Sequence, residues 1–357
     1  MSQSTRPVTA PLPIVPVELL KRFHVHERHD SRLKACARLL QVLWLTDHKI
    51  PTGYHQGRNG PRRLGSRLSI TAAQAGRNFL SPDLANLAQH VVAYQEPGAF
   101  IDAGRVFANA LGSTGLSINV MGMLALDLGL AARVLCQLFP ELNIASVDHI
   151  RFEHSPGRSD PTLTGDRSAF DVCAFVNRRQ GRSAKTKPAV IAFEFKYTES
   201  LHDSAACAPG HYDDLAEASG LFKDPQHAAL RVNPLQQLFR EHLLAQATVM
   251  RGDWPEAIFV SIAPAAHDHA QRQADLYTAF LNPPTDGQVP YRHITLEAFV
   301  TALHFAGASN AAQALFERYL DWGRIDRAVA QAIHKRVEKW TPVPKPAPLQ
   351  LVDQQAA

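Results

Sequence analysis

Glu194 and Lys196 stand two residues apart in an otherwise apolar run, Val190-Ile191-Ala192-Phe193-Glu194-Phe195-Lys196-Tyr197. In a strand, side chains alternate between faces, so Ile191, Phe193, Phe195 and Tyr197 share one face, with Glu194 and Lys196 beside Ala192 on the other. Burying such a pair costs several kcal/mol unless a metal ion or a polar cleft compensates it. Upstream, Phe170-Asp171-Val172-Cys173-Ala174-Phe175-Val176 carries one charge, Asp171, in another apolar run. Carboxylates on neighbouring strands, next to a lysine, make a hard-oxygen site suited to Mg²⁺ or Mn²⁺. An ion there activates water and stabilises charge developing on a phosphate, while the lysine orients the water or the transition state. Glu153 closes an earlier strand-like run and is a further candidate ligand or base, or a solvated strand end. An ordinary ion pair on an edge strand would also satisfy Glu-x-Lys, so the surrounding elements decide the reading.

Those elements fall in a definite order. An apolar helix spans about Asn119 to Phe139, closed by Pro140. Strand-like runs follow at Ala145–Glu153, Ser168–Asn177 and Ala189–Thr198. Asn233-Pro234 then predicts a helix start, with Asn as N-cap, Pro at N1 and Gln236 in a capping box. The helix runs to about Met250, and Glu256–Ala263 is a fourth strand. Before this core, residues 16–112 read as mostly helical, with a helical pattern from Val17 to about Leu45 and a Gly/Pro/Arg-rich loop from Tyr54 to Arg67 that contains Arg58. A cap at Ser81-Pro82-Asp83 opens another helix. Residues 266–340 read as mainly helical, 1–15 as a flexible Pro-rich lead and 341–357 as a flexible tail. The core is assigned to residues 113–265, in a mixed α/β class.

Asp171, followed by Glu194-x-Lys196 in the order αβββαβ, resembles the PD-(D/E)XK nuclease superfamily. The segments Phe152-Glu153-His154-Ser155-Pro156-Gly157-Arg158, Gly165-Asp166-Arg167-Ser168-Ala169-Phe170-Asp171 and Asn233-Pro234-Leu235-Gln236-Gln237-Leu238-Phe239-Arg240-Glu241-His242 are similar to a bacterial branch of it. Phe170 stands where such nucleases often have proline. The resemblance implies a restriction-endonuclease-like fold, a mixed sheet flanked by helices. It also implies a Mg²⁺-dependent deoxyribonuclease in which Asp171 and Glu194, helped by Glu153, hold the metal (Mg²⁺ or Mn²⁺) and Lys196 positions the attacking water. Restriction, repair or phage defence are the roles it suggests. A helix glutamine near the scissile phosphate is common in these enzymes. On a helical wheel Gln236 and Arg240 lie at the margin of the apolar face made by Leu235, Leu238, Phe239, Leu243 and Val249, with Gln237 and Glu241 pointing further away. Gln236 and Arg240 are therefore nucleic-acid candidates. Arg158 and Arg167, in loops flanking the sheet, have the fork geometry for phosphate.

The 357 residues carry 37 basic and 33 acidic side chains, a net charge of +4 that does not by itself demand a nucleic-acid partner. The 27 arginines against ten lysines favour phosphate contacts only slightly, because codon bias gives the same skew. The basic stretches Arg58–Arg67 and Arg178–Lys187 could track a backbone, or simply be solvated connections. Cys36, Cys136, Cys173 and Cys207 are far apart and form no CxxC pair, which disfavours zinc and a disulfide framework. The N-terminus lacks a secretory apolar segment, and Val120–Leu138 carries Asp127 and Arg133, so a cytoplasmic protein with no membrane span is expected. Neither GxxxxGK[ST] nor GxSxG occurs. DNA is the expected partner, with RNA and a homodimer left open. The competing reading is a catalytically silent nuclease fold serving as a nucleic-acid-binding or scaffold module, which metal-dependent cleavage would discriminate.

Overall fold

The computed structural model describes residues 11–57, 60–181, 185–199 and 211–338. Most of the predicted lead, Arg58, the tip of the basic 178–187 connection, Cys207 and the predicted tail lie outside the described residues. In chain order the N-terminal region holds α1 (Val17–Arg22), α2 (Arg32–Asp47), β1 (Thr52–Gly57), β2 (Gly60–Leu68), α3 (Ile70–Gln74), α4 (Pro82–Ala93) and α5 (Ala103–Ala108). The middle holds α6 (Ser113–Leu126), α7 (Leu128–Leu138), β3 (Ile144–His154), β4 (Phe170–Arg179), β5 (Thr186–Phe195), α8 (His211–Ser219), α9 (Gln236–Arg251) and β6 (Ala257–Ala263). The chain continues with α10 (Asp268–Phe280), β7 (Tyr291–Thr295), α11 (Leu296–Phe305), α12 (Ser309–Tyr319) and α13 (Trp322–Glu338).

The five-stranded sheet has the order β3-β4-β5-β6-β7. Its first three strands are antiparallel, and β5-β6 and β6-β7 are parallel. Strands covered on both faces read as continuous apolar runs, and every residue of β6 is buried. On one face, α6, α7, α11 and α12 pack over Val172, Ala174, Ile191, Phe193 and Phe195. On the other, α8, α9 and α10 pack over Cys173, Val190, Ala192 and Phe259. Burying a side chain such as Phe193 stabilises the fold by roughly 1.5–3 kcal/mol. The order helix, three strands, helix, strand makes this the mixed α/β, restriction-endonuclease-like core expected from the sequence.

Several local expectations are corrected. The apolar stretch at 119–139 is two helices bent by 116°, because Asp127 accepts the Leu130 backbone N–H (2.8 Å) and starts a second helix. Among the described residues no single helix is long and apolar enough to cross a membrane. On either side of residues 58–59, the basic 54–67 segment forms the paired antiparallel strands β1 and β2. Gly65 allows a close backbone approach, since a Cβ there would meet the Phe23 carbonyl oxygen at 2.2 Å. The predicted helix from Val17 breaks into α1 and α2. The helix after Asn233-Pro234 starts two residues later than predicted, with Leu235 as N-cap and no side-chain cap. The C-terminal region, expected to be mainly helical, also supplies β7.

The flanking regions share the central core. Arg318 of α12 is fully buried and donates to the carbonyl (2.7 Å) and side-chain (2.6 Å) oxygens of Asn78. Gln41 of α2 donates to the Arg318 carbonyl (2.7 Å) and the Tyr197 hydroxyl (3.2 Å), which ties α2 and α12 to the residues just beyond β5.

Candidate active site

The register of β4 against β5 pairs Val172 with Phe193 and Cys173 with Ala192, which sets Asp171 beside the end of β5. There its carboxylate accepts the Phe195 backbone N–H at 2.7 Å. Glu194 is buried and Lys196 half-buried, and Lys196 Nζ donates to Glu194 Oε1 at 2.6 Å. Both project toward α9. Gln237 completes the contact: its Oε1 accepts from Lys196 Nζ (2.7 Å), and its Nε2 donates to Glu194 Oε1 (2.6 Å) and Glu241 Oε1 (2.8 Å).

Glu153, at the end of β3, is half-buried with φ +50°, a left-handed conformation uncommon for a non-glycine residue. Its carboxylate accepts from Thr114 Oγ1 (3.3 Å), and its backbone carbonyl accepts from Arg158 Nη2 (2.5 Å). The turn that follows is held from outside. Glu96 accepts from His154 Nδ1 and from the Ser155 backbone N–H (3.0 Å), and lies 3.7 Å from Arg158 Nε.

Charge is concentrated here. Burial, Glu194 and Glu153 push the Asp171 carboxyl well above the ordinary range, and burial and Glu194 do the same to Glu241. Glu153 is pushed up to about 7 by burial and by Glu194. Burial alone would lower Lys196, but Glu194, Glu241 and Asp171 outweigh it and hold the amine above its ordinary value. Lys196 is therefore an ammonium at neutral pH, a donor and a positive charge rather than a base. Three carboxylates, Glu194, Glu241 and Asp171, act on one ammonium, and Glu241 Oε2 is buried without a hydrogen-bond partner among the described residues.

Among the described residues no three His, Cys, Asp or Glu side chains converge to hold an ion unaided. The donor set nonetheless fits a magnesium-like ion, which takes one or two carboxylates and keeps waters and substrate phosphate oxygens as its other ligands. Carboxylates that raise one another's proton affinity lose that repulsion when a divalent cation enters.

The sequence-nominated residues thus separate. Asp171, Glu194 and Lys196 are brought together at the end of β5, and Glu153 is close enough for its charge to be felt by Asp171. Arg158 supports this corner: Nη2 and Nη1 donate to the carbonyls of Glu153 and Arg167 (3.3 Å), while Nε is buried with no hydrogen-bond partner among the described residues. Arg167 is exposed on the same loop. Gln236 is buried in the first turn of α9. Arg240 is held by Asp166 (2.7 Å) and Ser168 (2.8 Å), with Tyr212 also donating to Asp166. The wheel had turned Gln237 and Glu241 away, yet these two face Lys196 and Glu194. It assumed one solvated side, whereas α9 is buried nearly all round. The available signal was the i, i+4 spacing of Gln237 and Glu241, which puts them on one stripe.

No curated protein matches this sequence. A solved structure of the MspJI restriction endonuclease in complex with a 27-mer oligonucleotide is similar at 15% identity with a TM-score of 0.20, over 78% of this chain and 42% of that one. The chain thus spans less than half the length of that protein. The family model described as the PD-(D/E)XK nuclease superfamily matches residues 28–321, most of the sequence and all of the sheet. With Asp171, Glu194 and Lys196 gathered at one corner of that sheet, the chain belongs to the PD-(D/E)XK nuclease superfamily.

Proposed function

We propose that this nuclease is a metal-dependent deoxyribonuclease that hydrolyses phosphodiester bonds of DNA. The observation that carries the proposal is the meeting of Asp171, Glu194 and Lys196 at the end of β5 under Gln237. Asp171 and Glu194, with Glu153, would hold Mg²⁺ or Mn²⁺. Such an ion, when bound, polarises the phosphate and lowers the pKa of a coordinated water. Lys196 donates hydrogen bonds, so it orients the attacking water and offsets negative charge on the phosphorus oxygens. Being already protonated, it does not take the water's proton. Where Asp171 and Glu194 hold the ion without it, Glu153 is the carboxylate at this corner left to accept that proton. Gln237 fixes the direction of Lys196 Nζ, and the apolar residues beneath keep the strand end rigid.

The decisive experiment incubates purified protein with circular and linear DNA in Mg²⁺, Mn²⁺ or EDTA, beside Glu194→Ala and Lys196→Ala variants. Cutting that needs the metal and disappears in both variants is the expected result. Folded protein that binds DNA without cutting under any metal would instead make the chain a binding module, and cleavage of RNA alone would correct the substrate.

A further inference from the structure

The arginines first nominated for phosphate are largely spoken for: Arg158 donates to carbonyls, and Arg240 is paired with Asp166. A second group of cations is differently placed. A cleft of about 270 Å³ opens between α2, the paired strands β1 and β2, α5 and the residues that follow Lys196. Lys34, Arg38, Arg67 and Arg105 line it, and Thr198, two residues beyond Lys196, forms part of its wall.

The acids in this cleft do not neutralise it. Glu27 is paired with Arg62. Glu199 accepts backbone N–H groups from Ser113 (3.1 Å), Tyr197 (2.7 Å) and Thr198 (3.0 Å). Arg38 is held by Asp30 and also donates to Ser66 Oγ (2.8 Å). Arg67 bonds His55 Nδ1 (3.1 Å) and the Gly104 carbonyl (3.4 Å), and no carboxylate among the described residues. Lys34 and Arg105 make no side-chain hydrogen bond among the described residues. Arg105 also favours the ionised form of Glu153, so the cleft and the catalytic corner share one electrostatic neighbourhood. Preset guanidinium donors beside two uncommitted cations are what a phosphate oxyanion requires.

We propose that this cleft binds a backbone phosphate of the nucleic-acid strand, away from the bond that is cut, with Lys34 and Arg105 supplying the contacts that close on it. The proposal rests on the nuclease reading of the neighbouring site. Continuity with that corner favours a strand phosphate over a free phosphate ion.

The test measures binding of a labelled DNA duplex in EDTA, where no cutting occurs, over a series of salt concentrations. Wild type, a Lys34→Ala/Arg105→Ala double variant and Arg292→Ala are compared; Arg292 is an exposed cation on β7. Loss of the contacts to that one phosphate lowers the magnitude of the slope of log K against log salt by about 0.9 in the double variant, while its melting temperature stays at the wild-type value. Arg292→Ala keeps the wild-type slope. An unchanged slope in the double variant, or an equal drop in Arg292→Ala, overturns the proposal. So does inorganic phosphate binding that the double variant loses while its DNA slope is unchanged, since the cleft would then serve the free ion. Cutting by wild type with Mg²⁺ is scored separately. If wild type never cuts but the slope falls, the cleft stands and the nuclease reading fails; if it cuts and the slope does not move, only the cleft fails.

Discussion

Lys196 Nζ donates to Gln237 Oε1 at 2.7 Å, joining the end of β5 to the first turn of α9. The other end of the same amide donates to Glu194 and Glu241. Only one orientation of the amide satisfies all three partners, with oxygen toward the ammonium and nitrogen toward the carboxylates. Gln237 therefore separates like charges and aims the one positive charge of the cluster. Lys196 is held by two acceptors, which leaves its third donor for a water or a phosphate oxygen.

Gln237→Ala is expected to lower kcat by roughly 10- to 100-fold while changing KM little, a loss typical of removing a residue that orients the groups doing chemistry. Steady-state cleavage kinetics with a melting curve on the same preparation check this. A fall in melting temperature with kcat preserved would reduce Gln237 to a packing residue.

Arg318 makes a prediction about the scaffold. It is a fully buried cation with no carboxylate partner among the described residues, stacked over Trp44 (4.3 Å) and Tyr319 (5.0 Å) and bonded to Asn78. Arg318→Ala leaves the Asn78 side-chain oxygen unsatisfied, though Asn119 still donates to the Asn78 carbonyl (3.1 Å), and opens a cavity between α2 and α12, for an expected loss of roughly 3–5 kcal/mol. Urea unfolding measures it. A loss below about 1 kcal/mol would mean that water or a shifted side chain replaces the guanidinium.

Legibility in the sequence followed the range of the interactions. β5 and β6 were readable because each carries a continuous apolar run, residues 188–193 and 257–260, and Asp171 because it is the one charge in such a run. The bend at Asp127 was hidden inside a stretch whose apolar character is the same on both sides of it. β7 was missed because its five residues, Tyr291–Thr295, form a strand only where β6 is there to pair with. Gln237 and Glu241 were misplaced for the same kind of reason: which side of α9 meets the sheet is set by tertiary packing. The Glu96 contacts that hold the turn after Glu153 join residues 58 and 59 positions apart, beyond any local pattern.

His242 makes stability depend on pH. It is fully buried between Tyr277 (3.0 Å) and the Val289 carbonyl (2.7 Å), and burial lowers its pKa to about 4. The unfolded chain binds a proton there near pH 6.5 and the folded chain does not until about pH 4. Its contribution is therefore fully present above pH 6.5 and is lost as pH falls toward 4, by on the order of 2 kcal/mol between pH 7 and pH 5. Urea unfolding of wild type and His242→Gln at the two pH values isolates it. The variant, less stable at pH 7, should show a smaller pH difference; equal differences would assign the acid sensitivity to other groups.

Glu153 sets activity against stability at a single position. Its left-handed backbone costs a residue with a Cβ roughly 1–2 kcal/mol, whereas glycine adopts it freely. The conformation persists because Glu96, His154, Ser155 and Arg158 fix the turn that follows, and it brings the carboxylate to the charged corner. Glu153→Gly is accordingly expected to be more stable than Glu153→Ala by about 1 kcal/mol, with cleavage equally impaired in both. Removing the carboxylate also relieves its repulsion with Asp171 and Glu194, so the glycine variant should melt at or above the wild-type temperature without metal. Paired melting curves and cleavage assays decide it. If Glu153→Gly were stabilised and still cut DNA at the wild-type rate, Glu153 would have no part in the chemistry, and Asp171 and Glu194 would hold the metal alone.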